Sequence, residues 1–248
     1  ELRPLIAVLP IPNLNETIAL NAVRVQERVD HAAAQVNRDA TKIVIVAVSK
    51  KFGPERITAA AAAGLTNLGE NRVQEALQKM DAADPNGQLG VTWHLVGHLQ
   101  SNKVRKAASS FSWIHSVDSI ELLHQLEDAA HLVGTRPNLL IQVDLADETT
   151  KHGASIDQTR RILELAKDCN SAKVRGLMTL PPLSEDTETT RIFFRRLHQL
   201  RDQFVRDGIN PMLLEELSMG MSQDLEVAVE EGATIIRVGT AIFGVRPQ

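Results

Sequence analysis

The segment Val46-Ala47-Val48-Ser49-Lys50-Lys51-Phe52-Gly53-Pro54 drives a strand-forming apolar run straight into two lysines. A lysine at a strand end has three uses: a solvated surface charge, a partner for a phosphate, or an amine that condenses with a carbonyl. For an arbitrary lysine the first dominates. Here the preceding residues are apolar and the neighbours small, so the ammonium is expected to be partly desolvated, which lowers its pKa and makes it a better nucleophile. Spacing leaves open which of Lys50 and Lys51 points inward. Far along the chain, Ser218-Met219-Gly220-Met221-Ser222 and Gly239-Thr240 set glycines and small polar residues where backbone N–H groups can close on an anion. Either loop alone reads equally well as helix capping and tight turns. Both together, with a lysine facing them and Arg237 between, describe a site for pyridoxal phosphate (PLP): an amine for the aldehyde, a cradle for the phosphate and a partner for the ring nitrogen.

Those residues need a scaffold that brings distant strand ends together. Apolar positions Ile18, Val25, Val29, Ala32, Ala33 and Val36 recur at helical spacing, which predicts a leading helix over residues 15–38. Residues 42–49 then form a β-branched run of the kind buried on both faces, and Pro54 opens a helix to residue 63. The alternation continues with strands at 66–69, 92–96, 111–116, 138–144, 173–178, 213–217 and 234–238. Helices follow at 71–80, 100–108, 119–133, 157–169, 187–206 and 223–230, with a short final segment after Gly239. Eight strand-then-helix units within 248 residues predict a (β/α)8 TIM barrel, an open doubly wound sheet being the alternative. No linker divides the chain. One domain over residues 1–248 is expected, residues 1–14 being an irregular N-terminal segment.

Composition sets the outer bounds. Hydrophobic residues at 43% and charged residues at 23% describe an ordinary globular chain, and a formal net charge of -4 without a Lys/Arg block gives nucleic acid no footing. The single cysteine, Cys169, cannot pair internally and reads as a small buried hydrophobe in a reducing, cytoplasmic setting. No stretch reaches the length of a membrane span, and the opening segment lacks the pattern of a secretory signal.

At this point the motifs are recognisable together. VSK at 48–50, GENRVQEAL at 69–77, WHLVGHLQSNK at 93–103, KHG at 151–153, GLMTLPP at 176–182, LSMGMSQDLEVAVEEG at 217–232 and IRVGTAIFG at 236–244 resemble the pyridoxal-phosphate homeostasis protein family. The resemblance runs from about residue 20 to the end. It implies a single-domain barrel of the alanine-racemase N-terminal type that carries PLP, with an extra N-terminal helix. Lys50 then stands at the Schiff-base position, and Ser222, Gly239 and Thr240 at the phosphate positions, with Ser218 and Met221 supplying nearby loop backbone. Arg237 faces the pyridine nitrogen. Asn71 and the Met178-Thr179 segment line the other flank, and Lys151 matches a lysine implicated in PLP exchange. Arg72 departs from the family, which commonly has a tyrosine there.

Two classes of function compete. In a racemase, PLP stabilises a carbanion while two bases exchange the α-proton; in a carrier, the protein stores, protects or delivers PLP. Racemases of this fold take a tyrosine from a separate β domain as second base, and this sequence contains no tyrosine. An arginine at the ring nitrogen donates to the unprotonated ring but does not stabilise its pyridinium form, which weakens the electron sink. The expectation is therefore a monomeric PLP carrier, with PLP-dependent apoenzymes as recipients and no metal. His94 and His98 do not share a helix, so their spacing is no metal signature. His115 reads as a structural histidine, Met219 as packing, and Arg191, Arg195, Arg196 and Arg201 as a solvated helix face or a surface for a regulatory partner.

Overall fold

A computed structural model describes residues 13–146, 152–182 and 184–245, and the structural statements concern those residues. Eight strands run in chain order around a closed parallel barrel. They are β1 (Val44–Val48), β2 (Asn67–Glu70), β3 (Thr92–Leu95), β4 (Trp113–Val117), β5 (Asn138–Gln142), β6 (Lys173–Met178), β7 (Glu216–Ser218) and β8 (Ile235–Val238). Closure occurs at β1, where Ala47 lies opposite Leu68 of β2 and Val46 opposite Arg237 of β8. A sheet with no free edge removes the open doubly wound alternative.

The leading helix α1 (Leu14–Gln35) starts one residue earlier than the periodicity suggests, because Asn13 and Glu16 form a reciprocal capping box. It stops short of residue 38 because Asn37 turns into the left-handed region at φ 55° and Arg38 N–H bonds back to the Ala33 carbonyl. The barrel helices are α2 (Pro54–Ala62), α3 (Val73–Ala83), α4 (Val104–Ser110), α5 (Ile120–Val133), α6 (Ile156–Ala166), α7 (Thr187–Arg206), α8 (Leu225–Glu230) and α9 (Thr240–Phe243). The buried stripe of α1, from Ile18 through Val25 and Val29 to Ala33, packs on α2, α8 and α9, so this extra helix covers the seam where the barrel closes.

Several element ends shift by one to four residues from the sequence expectation, and beyond α1 two of these shifts have a clear local cause. β7 begins at Glu216 rather than residue 213, because Asn210 caps a 3-10 turn at Pro211–Leu213 and the proline pre-sets its φ. α8 begins at Leu225 because the Asp224 carboxylate turns back onto the Met221 N–H at 2.6 Å.

The apolar core has two layers. The larger lies between sheet and helices; the smaller, inside the barrel, comprises Val46, Val48, Val96, Leu140, Met178 and Ile235. Branched residues normally fill such an interior. Here much of the remaining interior is polar, and that half carries the site. No described helix is long and apolar enough to cross a membrane.

Candidate functional site

The strand-end lysines separate cleanly. Ser49 is fully buried, Lys50 half-buried and lining a cavity, and Lys51 exposed. The turn is tight: Phe52 N–H bonds to the Ser49 carbonyl at 3.1 Å, and Lys51 takes φ 68°. Such a φ costs a non-glycine residue of order 1 kcal/mol, and the Lys51 N–H is held by Glu75 Oε1 at 2.6 Å.

Under that turn lies a charged cluster absent from the sequence reading. Lys79 on α3 is buried, and its Nζ donates to the Ser49 carbonyl at 2.8 Å, to Glu70 Oε1 at 2.7 Å and to Glu75 Oε1 at 2.8 Å. Ser49 Oγ donates to the same Glu70 oxygen at 2.5 Å. Burial pushes the Glu70 carboxyl above its ordinary range, and the bonds from Lys79 and Ser49 offset that only in part. Burial also works against the Glu75 carboxylate, but the bonds from Lys79 and from the Lys51 N–H outweigh it and the net shift is downward. The Glu70 of the GEN motif thus anchors the lysine turn from below.

Arg237 on β8 points into the barrel and heads a second network. Its guanidinium donates to Ser218 Oγ at 2.6 Å and to the Thr179 carbonyl at 2.9 Å. His115 Nδ1 lies 2.9 Å from Ser218 Oγ, His115 Nε2 lies 3.0 Å from His94 Nδ1, and His94 Nε2 lies 3.0 Å from Asn67 Oδ1. The chemistry of the ends orients the chain. Asn67 turns its NH2 to Thr66 Oγ1 and its oxygen to the ring, and an amide oxygen only accepts. His94 therefore carries its hydrogen on Nε2 and accepts at Nδ1. His115 donates from Nε2 and accepts at Nδ1, and the Ser218 hydroxyl donates to it while accepting from Arg237. Burial pushes His94 down to about 3. It pushes His115 well below the usual imidazole value, with His94 and Arg237 adding to the effect. Both rings are neutral at physiological pH, so Arg237 supplies this chain's one charge. Burial brings Arg237 to about 10, against the pull of Asp224, which leaves it protonated at neutral pH.

The loops after β7 and β8 meet at Ser222, whose Oγ accepts from Gly239 N–H and Ala241 N–H, each at 3.2 Å. Gly220, at φ 91°, lets the loop fold against α8: a Cβ there would come 2.4 Å from that of Ala228. Its carbonyl accepts from the Arg237 N–H at 3.0 Å. From outside, Arg28 on α1 donates to the Ser222 carbonyl at 3.0 Å and pairs with Glu226. The N-terminal helix therefore buttresses the cradle.

Lys50, Asn71, Met221, Ser222, Arg237, Gly239 and Thr240 line one cavity of about 300 Å³ at the C-terminal mouth of the barrel. Met178 and Ser218, also expected there, lie fully buried beneath its floor: Met178 in the inner apolar cluster, Ser218 under Arg237. Lys151 lies outside the described residues. The sequence reading missed Asp224, Thr190 and the Leu180–Pro182 wall. Of these, only Leu180–Pro182, at the end of the GLMTLPP motif, carried a signal in the sequence. The basic residues of α7 are more than a solvated face: Arg195 and Arg196 are exposed as expected, but their charged ends are engaged. Arg191 bridges Glu188, Glu230 and Glu231, Arg195 joins Glu231, and Arg196 donates to the Leu145 carbonyl, so they staple α7 to its neighbours. His94 and His98 are apart as expected: His94 sits in the interior, and His98 on the rim stacks on His152 with ring centroids 3.6 Å apart.

Comparison with known proteins agrees with this fold. The family model for the alanine racemase N-terminal domain matches residues 21–247, which defines the class of barrel. The chain is 39% identical over 223 residues to the pyridoxal phosphate homeostasis protein of Aquifex aeolicus, covering 90% of this chain and 96% of the relative. It is 34% identical over 229 residues to that of Escherichia coli K12, covering 92% and 97%. The chain belongs to the pyridoxal phosphate homeostasis protein family. Among solved structures it is similar to PipY of Synechococcus elongatus with PLP bound, with a TM-score of 0.78 and 39% identity over 89% of this chain and 100% of that one. An alanine racemase of Clostridium difficile shares the fold at a TM-score of 0.72 and 12% identity, this chain covering 57% of its length.

Proposed function

We propose that this protein binds PLP in the cavity at Lys50, covalently through the Lys50 amine as a Schiff base, and serves vitamin B6 and amino-acid homeostasis without substantial turnover. One observation carries the reading: a strand-end lysine, a buried arginine and the Ser222–Gly239–Thr240 cradle line a single cavity of about 300 Å³, a size suited to a small cofactor. The donor set fits the group, with an amine, a hydroxyl and glycine backbone for a phosphate, and a guanidinium for a ring nitrogen. The family's name and the PLP-bound relative support the same assignment.

When bound, PLP supplies an aldehyde that condenses with an amine, losing one water, and a ring that draws electrons from an attached carbon. The protein's own residues govern how far that chemistry runs. The Glu70–Lys79–Glu75 cluster fixes the Lys50 turn. Ser222 and the Gly239–Thr240 backbone would hold the anion. Arg237 would face the ring nitrogen and, as a guanidinium that keeps its proton, would donate to the unprotonated ring, which would leave the electron sink weak. The sequence has no tyrosine to act as a second base of the racemase kind. A cytoplasmic monomer fits, since the closed sheet offers no edge to a second copy, and PLP-dependent apoenzymes are the natural recipients.

The test is a pair of assays. Added PLP produces a visible absorption band in wild type that Lys50→Ala lacks, and incubation with L-amino acids yields no racemisation above the free-cofactor rate. Steady amino-acid turnover by the pure protein overturns the carrier reading, and a colourless wild type overturns the cofactor.

A further inference from the structure

Away from the cavity, three ligand-type side chains meet on the rim, supplied by the loops that follow three consecutive strands. His98 follows β3, Asp118 follows β4 and His152 follows β5, and one donor atom from each lies within 4.8 Å of the other two. His98 Nδ1 and Asp118 Oδ2 are 3.6 Å apart. Two donors on a tetrahedral zinc, each about 2.1 Å from the ion, sit about 3.4 Å apart, so this pair already has the required spacing.

The backbone around each ligand is held. Ser116 Oγ donates to the Gly97 carbonyl at 2.8 Å, tying the end of β4 to the residue before His98. Gln142 Nε2 donates to the His152 carbonyl at 2.6 Å. Asp118 immediately precedes Ser119, the cap of α5. The side chains retain freedom: both histidines are exposed and their rings lie parallel at 7°. Parallel rings do not aim both lone pairs at one point, so binding requires one exposed imidazole to turn, a motion that displaces no core residue. Burial and the neighbouring His152 hold His98 below its usual pKa, against the pull of Asp118, and a neutral imidazole is the ligating form.

We infer that His98, Asp118 and His152 form a rim site for one zinc ion. Two imidazoles and a carboxylate suit a first-row divalent metal and not magnesium or calcium, which take all-oxygen sets. Three protein ligands leave a fourth position for water or an incoming ligand. The inference does not depend on the PLP reading.

Untagged full-length protein, stripped with chelator, is titrated with Zn2+ in competition with a chromogenic chelator. Wild type binds one equivalent, and His98→Ala and His152→Ala each weaken that binding at least tenfold. Zn2+ raises the Tm of wild type through linkage and leaves both variants unshifted. Far-UV circular dichroism confirms folding; because both side chains are exposed, either variant suffices. Absence of saturable binding in wild type, or binding equally strong in both variants, overturns the site and marks any zinc as adventitious.

Discussion

The turn bearing Lys50 and the interior beneath Arg237 bury polar groups in opposite ways. Under Lys50, the Lys79 ammonium donates to two carboxylates and a carbonyl, the Ser49 hydroxyl donates to one of the same carboxylates, and opposite charges are held in contact. Beneath Arg237, two imidazoles and a serine pass hydrogen bonds in a single direction to Asn67, and the two rings stay neutral. A buried ion cluster fixes a backbone turn firmly but is costly to break, because each charge left behind is stranded in a poor solvent. A neutral chain tolerates damage better and sets the direction of every donor.

That contrast predicts an order of sensitivity. Lys79→Met strands Glu70 and Glu75 and should cost about 3–5 kcal/mol of stability in urea unfolding. Glu70→Gln, which leaves Lys79 paired with Glu75, should cost distinctly less; equal losses would mean that the cluster's charge is not what matters. His115→Leu leaves Ser218 and His94 without their partners and should cost about 1–3 kcal/mol. If it costs more than Lys79→Met, the contrast is inverted.

Acid separates the two regions further. His94 has a folded pKa near 3 against an ordinary 6.5, so its contribution is fully present above 6.5 and is lost as pH falls towards 3, when only the unfolded chain takes up the proton. His115 is displaced in the same direction. Each group adds about 1.4 kcal/mol per pH unit to the slope within its window. Glu75, lowered, adds to acid sensitivity, whereas Glu70, raised, opposes it because the native state protonates first. His94→Gln, which hydrogen-bonds without titrating, should flatten the stability profile between about pH 6 and 4 relative to wild type. An unchanged slope would mean the ring is charged in the native state. The smallest effect belongs to the outer buttress: Arg28→Ala, losing a partly exposed pair with Glu226, should cost about 1 kcal/mol or less.

How far the sequence revealed these regions depends on how locally each is specified. The barrel was legible because each strand and helix carries its own period, and α7 and β6 fall on the expected residues. Lys50, Arg237 and the glycine loops were legible because strand ends of a barrel converge on one mouth. Lys79 was not: on a helix of mixed charge it looks like any surface lysine, and its burial depends on how α3 lies against the turn after β1. The His94–His115 chain needs the register of adjacent strands, and its reach to Ser218 needs a side chain spanning the barrel interior. Neither can be read from spacing along one strand. The pairing of Arg191 and Arg195 was hidden for the same reason, since their partners Glu230 and Glu231 come from the end of the next helix.

The central claim is that Lys50, and not its neighbour Lys51, is the reacting amine. Wild-type protein mixed with PLP is reduced with borohydride, digested and mapped by mass spectrometry. The mass of reduced pyridoxyl phosphate should fall on the Lys50 side chain and be absent at Lys51. A modification at Lys51, or one spread over surface lysines, would contradict the account.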